Sequence, residues 1–387
     1  MASIRKKGKG YDLRVCCGYD VDGKRIEKYR RWVPDSSMTA KQAEKEAKRQ
    51  LVLFENEITR GKCHDNTTRF HDLAEMCMQE FKTRLAPKTY IRYGDYLKRI
   101  DKAIGHIKIR DLTPIQLNAF YRSLARDGAN HSRGGGLSPK TIIEHHRLIS
   151  KMLNTAIRWG MIDVNVAGRA DPPKLIRKEI QCLNERETSH MIHLLNEEPI
   201  QYRTMILLLL YTGMRRGELC GLEWKDIDFT ERRLSIVRTS QYIGHGQIIT
   251  KEPKTRSGRR ELSLSPTLCT LLKDYRVWQN TRRLRTGERW MNTDRLFTQS
   301  NGEPIYPDTV TEWFAKFLKR HDLPKVTLHS LRHTNATLMI AEGVDICTVS
   351  KRLGHANTSI TLDVYAHALK TKDSDAADKL DAVLAVR

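Results

Sequence analysis

"LLYTGMRRGELCGLEW", residues 209–224, runs out of an apolar stretch, stops at a glycine and restarts with two arginines. Gly213 stands where a helix C-cap needs a residue free to turn, so a second helix is expected to begin near Met214. Arg215 and Glu218 are then three positions apart on one face, where the carboxylate can hold the guanidinium, and Arg216 points elsewhere. One such pair is ordinary in any helix, and a second cluster gives it meaning. "LHSLRHTNATLMIAEGVDICTVSKRLGHANTSITLDVYAHA", residues 328–368, places His329 and Arg332 again at i, i+3. It continues through Gly343 and Gly354, two further helix ends, to His355, with Tyr365 ten residues beyond.

Working outward, "YRTMILLLLYTG" is a helix within a C-terminal region that opens with helices near 186. Three candidate strands follow, "RRLSIVRT", "GQIIT" and "RRELSLS", and helices resume from about 266. Upstream, "VAGRADPPKLIRKEI" has paired prolines and no periodicity, and so reads as a linker. Before it, four stretches from "FHDLAEMCMQEFK" to "SPKTIIEHHRLISKMLNTAIRWGMI" carry apolar residues at three and four spacing. Thr113-Pro114 and Ser138-Pro139 serve as helix starts among them. The N-terminus reads as two strands around Asp22-Gly23, then a helix from Thr39. The expected fold is therefore mainly α with small β-sheets (α+β), divided into 1–64, 65–168, a linker at 169–185, and 186–387.

A chain of 387 residues exceeds the size at which one core stops growing, so several domains are expected. Its net charge of +22 favours a polyanionic partner, nucleic acid before membrane. Residues 1–34 hold ten Lys/Arg against four Asp/Glu, and a basic β-ribbon fits a DNA groove. That makes Arg14, Arg25, Lys28 and Arg30 candidate DNA contacts. The eight cysteines form no C-x-x-C pair and read as reduced thiols; Cys63-His64 is half a metal site without the other half. "MASIRKKGKGYDLRV" has no apolar signal core and no run approaches a membrane span, so a cytoplasmic protein without membrane contact is expected.

Taken together, T-G-x-R-x-x-E-L at Thr212–Leu219, a lysine at Lys254 in "KEPKTRSGRR", H-x-L-R-H at His329–His333, L-G-H at Leu353–His355 and Tyr365 resemble the tyrosine recombinase (phage integrase) family. The likeness is tight over the last 200 residues or so. Residues 65–168 fit that family's helical core-binding domain by pattern, and the basic N-terminal piece resembles the arm-binding domains of phage and conjugative-transposon integrases.

The resemblance implies a site-specific recombinase that integrates and excises a mobile element through a 3′-phosphotyrosyl intermediate and a Holliday junction. Two preorganised arginines suit the charge that develops on a phosphodiester under attack, and these would be Arg215 and Arg332. Tyr365 would be the nucleophile. Lys254, with Lys251 and Arg256 as rivals, would protonate the leaving oxygen from a hairpin turn. His329 and His355 would hydrogen-bond the phosphate and assist proton transfer, Glu218 would orient Arg215, and His333 and His367 would be structural supports. No metal or cofactor is implied, and the chain has no G-x-x-x-x-G-K-[ST] loop.

The implied partners are core and arm-type duplex DNA, a homotetramer assembled on it, an excisionase and a host DNA-bending protein, in a bacterial cytoplasm at the nucleoid. A tail with Ala376, Ala377, Leu380, Val383 and Leu384 at helical spacing would dock on its own domain or a neighbour. The alternatives are a non-catalytic DNA-binding regulator on this scaffold, and a dimer-resolving recombinase or type IB topoisomerase-like enzyme.

Overall fold

The computed structural model describes residues 2–19, 22–59, 67–130, 134–175, 181–244, 246–253, 256–355, 357 and 384. Lys254, Tyr365, His367, Cys63, His64 and all of the tail except Leu384 lie outside the described residues. The chain forms two units, 1–177 and 178–387.

In the first unit, β1 (Ala2–Lys7), β2 (Gly10–Tyr19) and β3 (Arg25–Trp32) make an antiparallel sheet in that order. Residues on a strand alternate between faces, so Tyr11, Leu13 and Val15 all point one way. They bury against Ala43, Ala47 and Phe54 of α1 (Ala40–Thr59). The turn between β2 and β3 holds Gly23 at φ +77°, as the Asp22-Gly23 signal predicts. β1 was not anticipated. It joins because Ile4 pairs opposite Leu13 and so shares the buried face.

A second core in this unit comes from α2 (Phe70–Arg84), α3 (Pro87–Ile100), α4 (Pro114–Ala125) and α5 (Pro139–Arg158). Phe70, Leu73, Ile100, Leu117, Leu148 and Met152 fill its interior. The two expected starts are realised: the Thr113 and Ser138 hydroxyls accept from the backbone N–H groups of Gln116 and Thr141, both at 3.3 Å. A proline follows each, where its missing N–H costs no helical bond.

The second unit begins with α6 (Glu185–Leu195) and α7 (Ile200–Thr212). Met205 to Leu210 are all buried, so α7 is wrapped on every side rather than amphipathic. Four consecutive leucines there contribute roughly 1.5–3 kcal/mol each. After the short α8 (Arg216–Leu219), β4 (Ile227–Asp228), β5 (Arg233–Ile236) and β8 (Arg260–Ser263) form one sheet. β6 (Thr239–Gly244) and β7 (Gln247–Lys251) form another. "GQIIT" is thus a strand, but it pairs with "TSQYIG" instead of joining the other two candidates. Then come α9 (Pro266–Thr286), α10 (Pro307–Arg320), α11 (Leu328–Ala341) and α12 (Ile346–Leu353). α11 packs on α7 and is buried along most of its circumference. Among the described residues, no helix is long and apolar enough to cross a membrane.

Candidate active site

Gly213 ends α7 at φ +63° and ψ +16°, with its N–H donating to Leu209 O at 2.9 Å. This left-handed cap is the turn that the glycine predicts. Two residues on, Arg215 takes an extended conformation at the N-cap of α8. Its backbone N–H donates to Glu218 Oε2 at 2.9 Å and its Nη1 to Oε1 at 2.8 Å. Arg215 is 43% exposed at its side chain and Glu218 only 3%, so a buried carboxylate holds a cation that still reaches solvent.

Arg332 approaches the same turn from α11. Its Nη1 donates to the carbonyl of Gly213 at 2.8 Å, and the residue is 2% exposed. His329 lies one turn earlier on α11 and opens to the surface. His355 follows Gly354, the left-handed cap of α12, and its N–H donates to Ser350 O at 3.1 Å. The Gly354 carbonyl accepts from Arg215 Nη2 at 3.3 Å, which brings the α12 terminus against the first arginine.

Electrostatics ties the group together. Although His329 reaches the surface, desolvation of its ring by the surrounding protein, then the charges of Arg332 and Arg215, push its pKa below the ordinary value. Burial first, followed by Arg332, Arg215, His333 and Arg260, pushes His355 down to about 4. His333, whose ring meets that of His329 edge-on at 4.7 Å, is also pushed down to about 4, by burial, His329 and Arg332. At neutral pH the imidazoles are uncharged and the positive potential comes from guanidiniums. Such a cluster attracts an anion, and a phosphate seated there would favour protonation of the same histidines.

The structure therefore gathers Arg215, Glu218, His329, Arg332 and His355 into one site. Lys254 and Tyr365 fall outside the described residues. The strands on either side of Lys254 differ from one expectation: β7 pairs with β6 and β8 with β5, so these two strands are not the two arms of one hairpin. Of its rivals, Lys251 ends β7 and Arg256 opens a short 3-10 turn at Arg256–Gly258.

Two arginines of the site escaped the sequence reading. Arg260 Nη2 donates to Glu218 Oε2 at 2.9 Å and its Nε to the Arg352 carbonyl at 2.8 Å. Arg352 in turn donates to Tyr211 O at 3.2 Å and Ser263 O at 3.3 Å. A signal for Arg260 was available in the strand pattern. Period-two alternation puts it on the face of Leu262, and its cross-strand partner Ile236 is fully buried. An arginine at an inward position calls for a buried acid.

The four N-terminal candidates lie in the other unit and divide between the faces of its sheet. Arg14 pairs opposite Tyr29 and bonds Glu27, and Arg25 also meets Glu27 at 3.2 Å, both on the face away from α1. Lys28 and Arg30 stand opposite Val15 and Leu13 on the α1 side. There the Arg30 guanidinium lies 4.3 Å from the centre of the Phe54 ring and pairs with Glu57.

The profile of the phage integrase family matches residues 181–372, and that of the phage integrase N-terminal SAM-like domain matches residues 69–125. A tyrosine recombinase of Thermosipho africanus is 30% identical over 74% of this chain and 89% of its own length. The ICEBs1 integrase of Bacillus subtilis is 27% identical over 99% of this chain and 100% of its own. Among solved structures, the Tn1549 transposon integrase in complex with a circular intermediate DNA superposes with a TM-score of 0.67 at 19% identity, covering 82% of this chain and 100% of that one. A lambda integrase dimer bound to a core site gives 0.56 at 17% identity, covering 94% and 93%.

Proposed function

This chain belongs to the phage integrase family of tyrosine recombinases, and from that premise we propose that it is a site-specific DNA recombinase that integrates and excises a mobile element. The observation that carries this reading is the convergence of Arg215 and Arg332 on the Gly213 turn, with His329 and His355 beside them. Two guanidiniums fixed before substrate arrives stabilise the charge that builds on the non-bridging oxygens of a phosphate under attack.

In the proposed reaction the Tyr365 hydroxyl loses its proton and attacks phosphorus, and the bond to the 5′-oxygen breaks. That oxygen leaves with a proton supplied by Lys254. The 3′-phosphotyrosyl ester keeps the energy of the cut strand, so a 5′-hydroxyl from a second duplex can reverse the step and form a Holliday junction. His329 and His355 hydrogen-bond the phosphate and assist the proton transfers. Glu218 fixes the direction of Arg215 without touching substrate.

The remaining chain is assigned by the same reading: residues 1–64 to arm-type sites, 65–168 and 186–387 to the two sides of a core site. Both the net charge of +22 and the basic outer face of the N-terminal sheet support DNA as the partner. Four protomers act together on DNA in the bacterial cytoplasm, with an excisionase and a host DNA-bending protein setting direction. An apolar groove lined by Ile192, Leu210, Tyr211, Leu338, Met339 and Val344 suits the apolar side of a tail helix, from the same protomer or a neighbour.

The test is covalent trapping on nicked duplexes from the ends of the element that encodes this protein. Wild type should give a protease-sensitive shifted band on a denaturing gel, and Tyr365→Phe should give none while binding the same DNA. Specific binding by wild type with no covalent product would favour a regulator. Cleavage without joining of two distinct sites would favour a topoisomerase-like enzyme.

A further inference from the structure

Glu218 has two arginine partners, and the second is unaccounted for by the chemistry above. Arg260 reaches from β8 with its side chain 7% exposed and bonds Oε2 of Glu218 at 2.9 Å, the oxygen that also receives the Arg215 backbone N–H. Oε1 is left to the Arg215 guanidinium at 2.8 Å. Each carboxylate oxygen thus has its own guanidinium, and neither arginine can move without disturbing the acid between them.

The other edge of Arg260 is equally occupied. Its Nε bonds the Arg352 carbonyl at 2.8 Å, in the last turn of α12. A Cβ built on Gly354 would come within 2.9 Å of Arg260 Nη1 and 2.8 Å of Ser257 O, so the left-handed cap presses directly on this guanidinium. The Gly354 carbonyl accepts from Arg215, and His355 is the next residue. One planar side chain therefore braces Arg215 through Glu218 and the His355 turn through the α12 backbone.

We propose that Arg260 is a positioning residue for strand cleavage, setting the direction of Arg215 through Glu218 and the placement of His355 through the end of α12. The inference rests on the recombinase reading and deepens it. A fork with donors on two edges is needed, because an ammonium can reach the carboxylate or the carbonyl but cannot span both with fixed geometry. The Glu218 carboxyl responds to this arrangement. Burial would raise its pKa, but the hydrogen bond and charge of Arg260, then the Arg215 contacts, hold it below the usual carboxylate range.

The experiment measures single-turnover formation of the covalent protein–DNA product by full-length Arg260→Gln, Arg260→Lys, Glu218→Gln and the two double variants, with thermal melts and core-site binding alongside. Arg260→Gln should bind core DNA as wild type does and form the covalent product about 10- to 100-fold more slowly. Arg260→Lys should recover part of that loss. In a Glu218→Gln background, either Arg260 change should cost less than it does in wild type, because the share that runs through Glu218 is already lost and only the share that runs through α12 remains. Arg260→Gln cleaving at the wild-type rate would overturn the inference, and so would rate losses that multiply in the double variants. If Arg260→Gln does not fold, the Arg260→Lys and Glu218→Gln pair decides by the same non-additivity. Absence of covalent product from wild type would instead count against the recombinase reading itself.

Discussion

Arg332 donates to the carbonyl of Gly213 at 2.8 Å, so the turn that presents Arg215 also anchors the second arginine of the site. The two guanidiniums come from chain segments more than a hundred residues apart, and they share one backbone reference. Their separation is then set by a peptide, which is stiffer than any side chain.

Gly213→Ala tests that dependence. Alanine at φ +63° is strained, and its Cβ would lie 2.4 Å from Leu353 Cδ2 and 2.8 Å from Asn335 Oδ1. Stability should fall by about 1–3 kcal/mol in urea unfolding. Covalent trapping under conditions where the variant is still folded should fall by more than the folded fraction does. Cleavage that simply tracks the folded fraction would show that the arginines do not depend on this turn.

Glu218 should shape the acid limb of stability. Its folded pKa lies below the ordinary value of 4.5, so its contribution is complete above that value and is lost as pH falls through the folded pKa. Glu218→Gln removes a titrating carboxylate from between two guanidiniums. The variant should be less stable at neutral pH and lose less on acidification below pH 4.5. Parallel pH profiles for the two proteins would mean that the carboxylate is equally free in the folded and unfolded chains.

The histidines act in a higher window and with the opposite charge. His333 and His355 have folded pKa values near 4 against an ordinary 6.5, so the unfolded chain binds protons that the folded chain refuses. Their penalty is absent above pH 6.5 and grows as pH falls toward 4. The thermal midpoint should drop across that range, and His333→Gln should flatten the drop. An unchanged slope in His333→Gln would place the titrating group elsewhere.

How far the sequence disclosed this site depends on which residues signal through local spacing. Arg215 and Glu218 announce themselves as an i, i+3 pair beside a glycine stop, and His329 and Arg332 as a second pair at the same spacing. Arg260 is long-range where it serves the site: Glu218 and the Arg352 carbonyl lie 42 and 92 residues away, and the trace it leaves in the local sequence is its inward register beside Leu262. α7 was legible from its leucine run. The pairing of "GQIIT" with "TSQYIG" was not, because short strands carry no record of their partner. β1 was missed for the same reason, since Ile4 gains its buried face only by lying opposite Leu13.

The N-terminal sheet allows the same logic to separate DNA contact from packing. Arg25 stands on the face away from α1, with its side chain 47% exposed and Glu27 as neighbour at 3.2 Å. Arg30 stands on the α1 face, stacked over Phe54 and paired with Glu57, although 41% of its side chain is exposed. Arg25→Ala should therefore weaken binding to arm-site DNA and lower the slope of log affinity against log salt by about 1, the signature of one lost phosphate contact. Arg30→Ala should leave that slope unchanged and cost about 0.5–1 kcal/mol of stability, the worth of a solvent-screened stack and ion pair. Salt titrations and melts on the full chain read both. Equal slope changes in the two variants, with no change in melting for Arg30→Ala, would mean that DNA reaches both sides of the sheet, and the division of faces would lose its functional meaning.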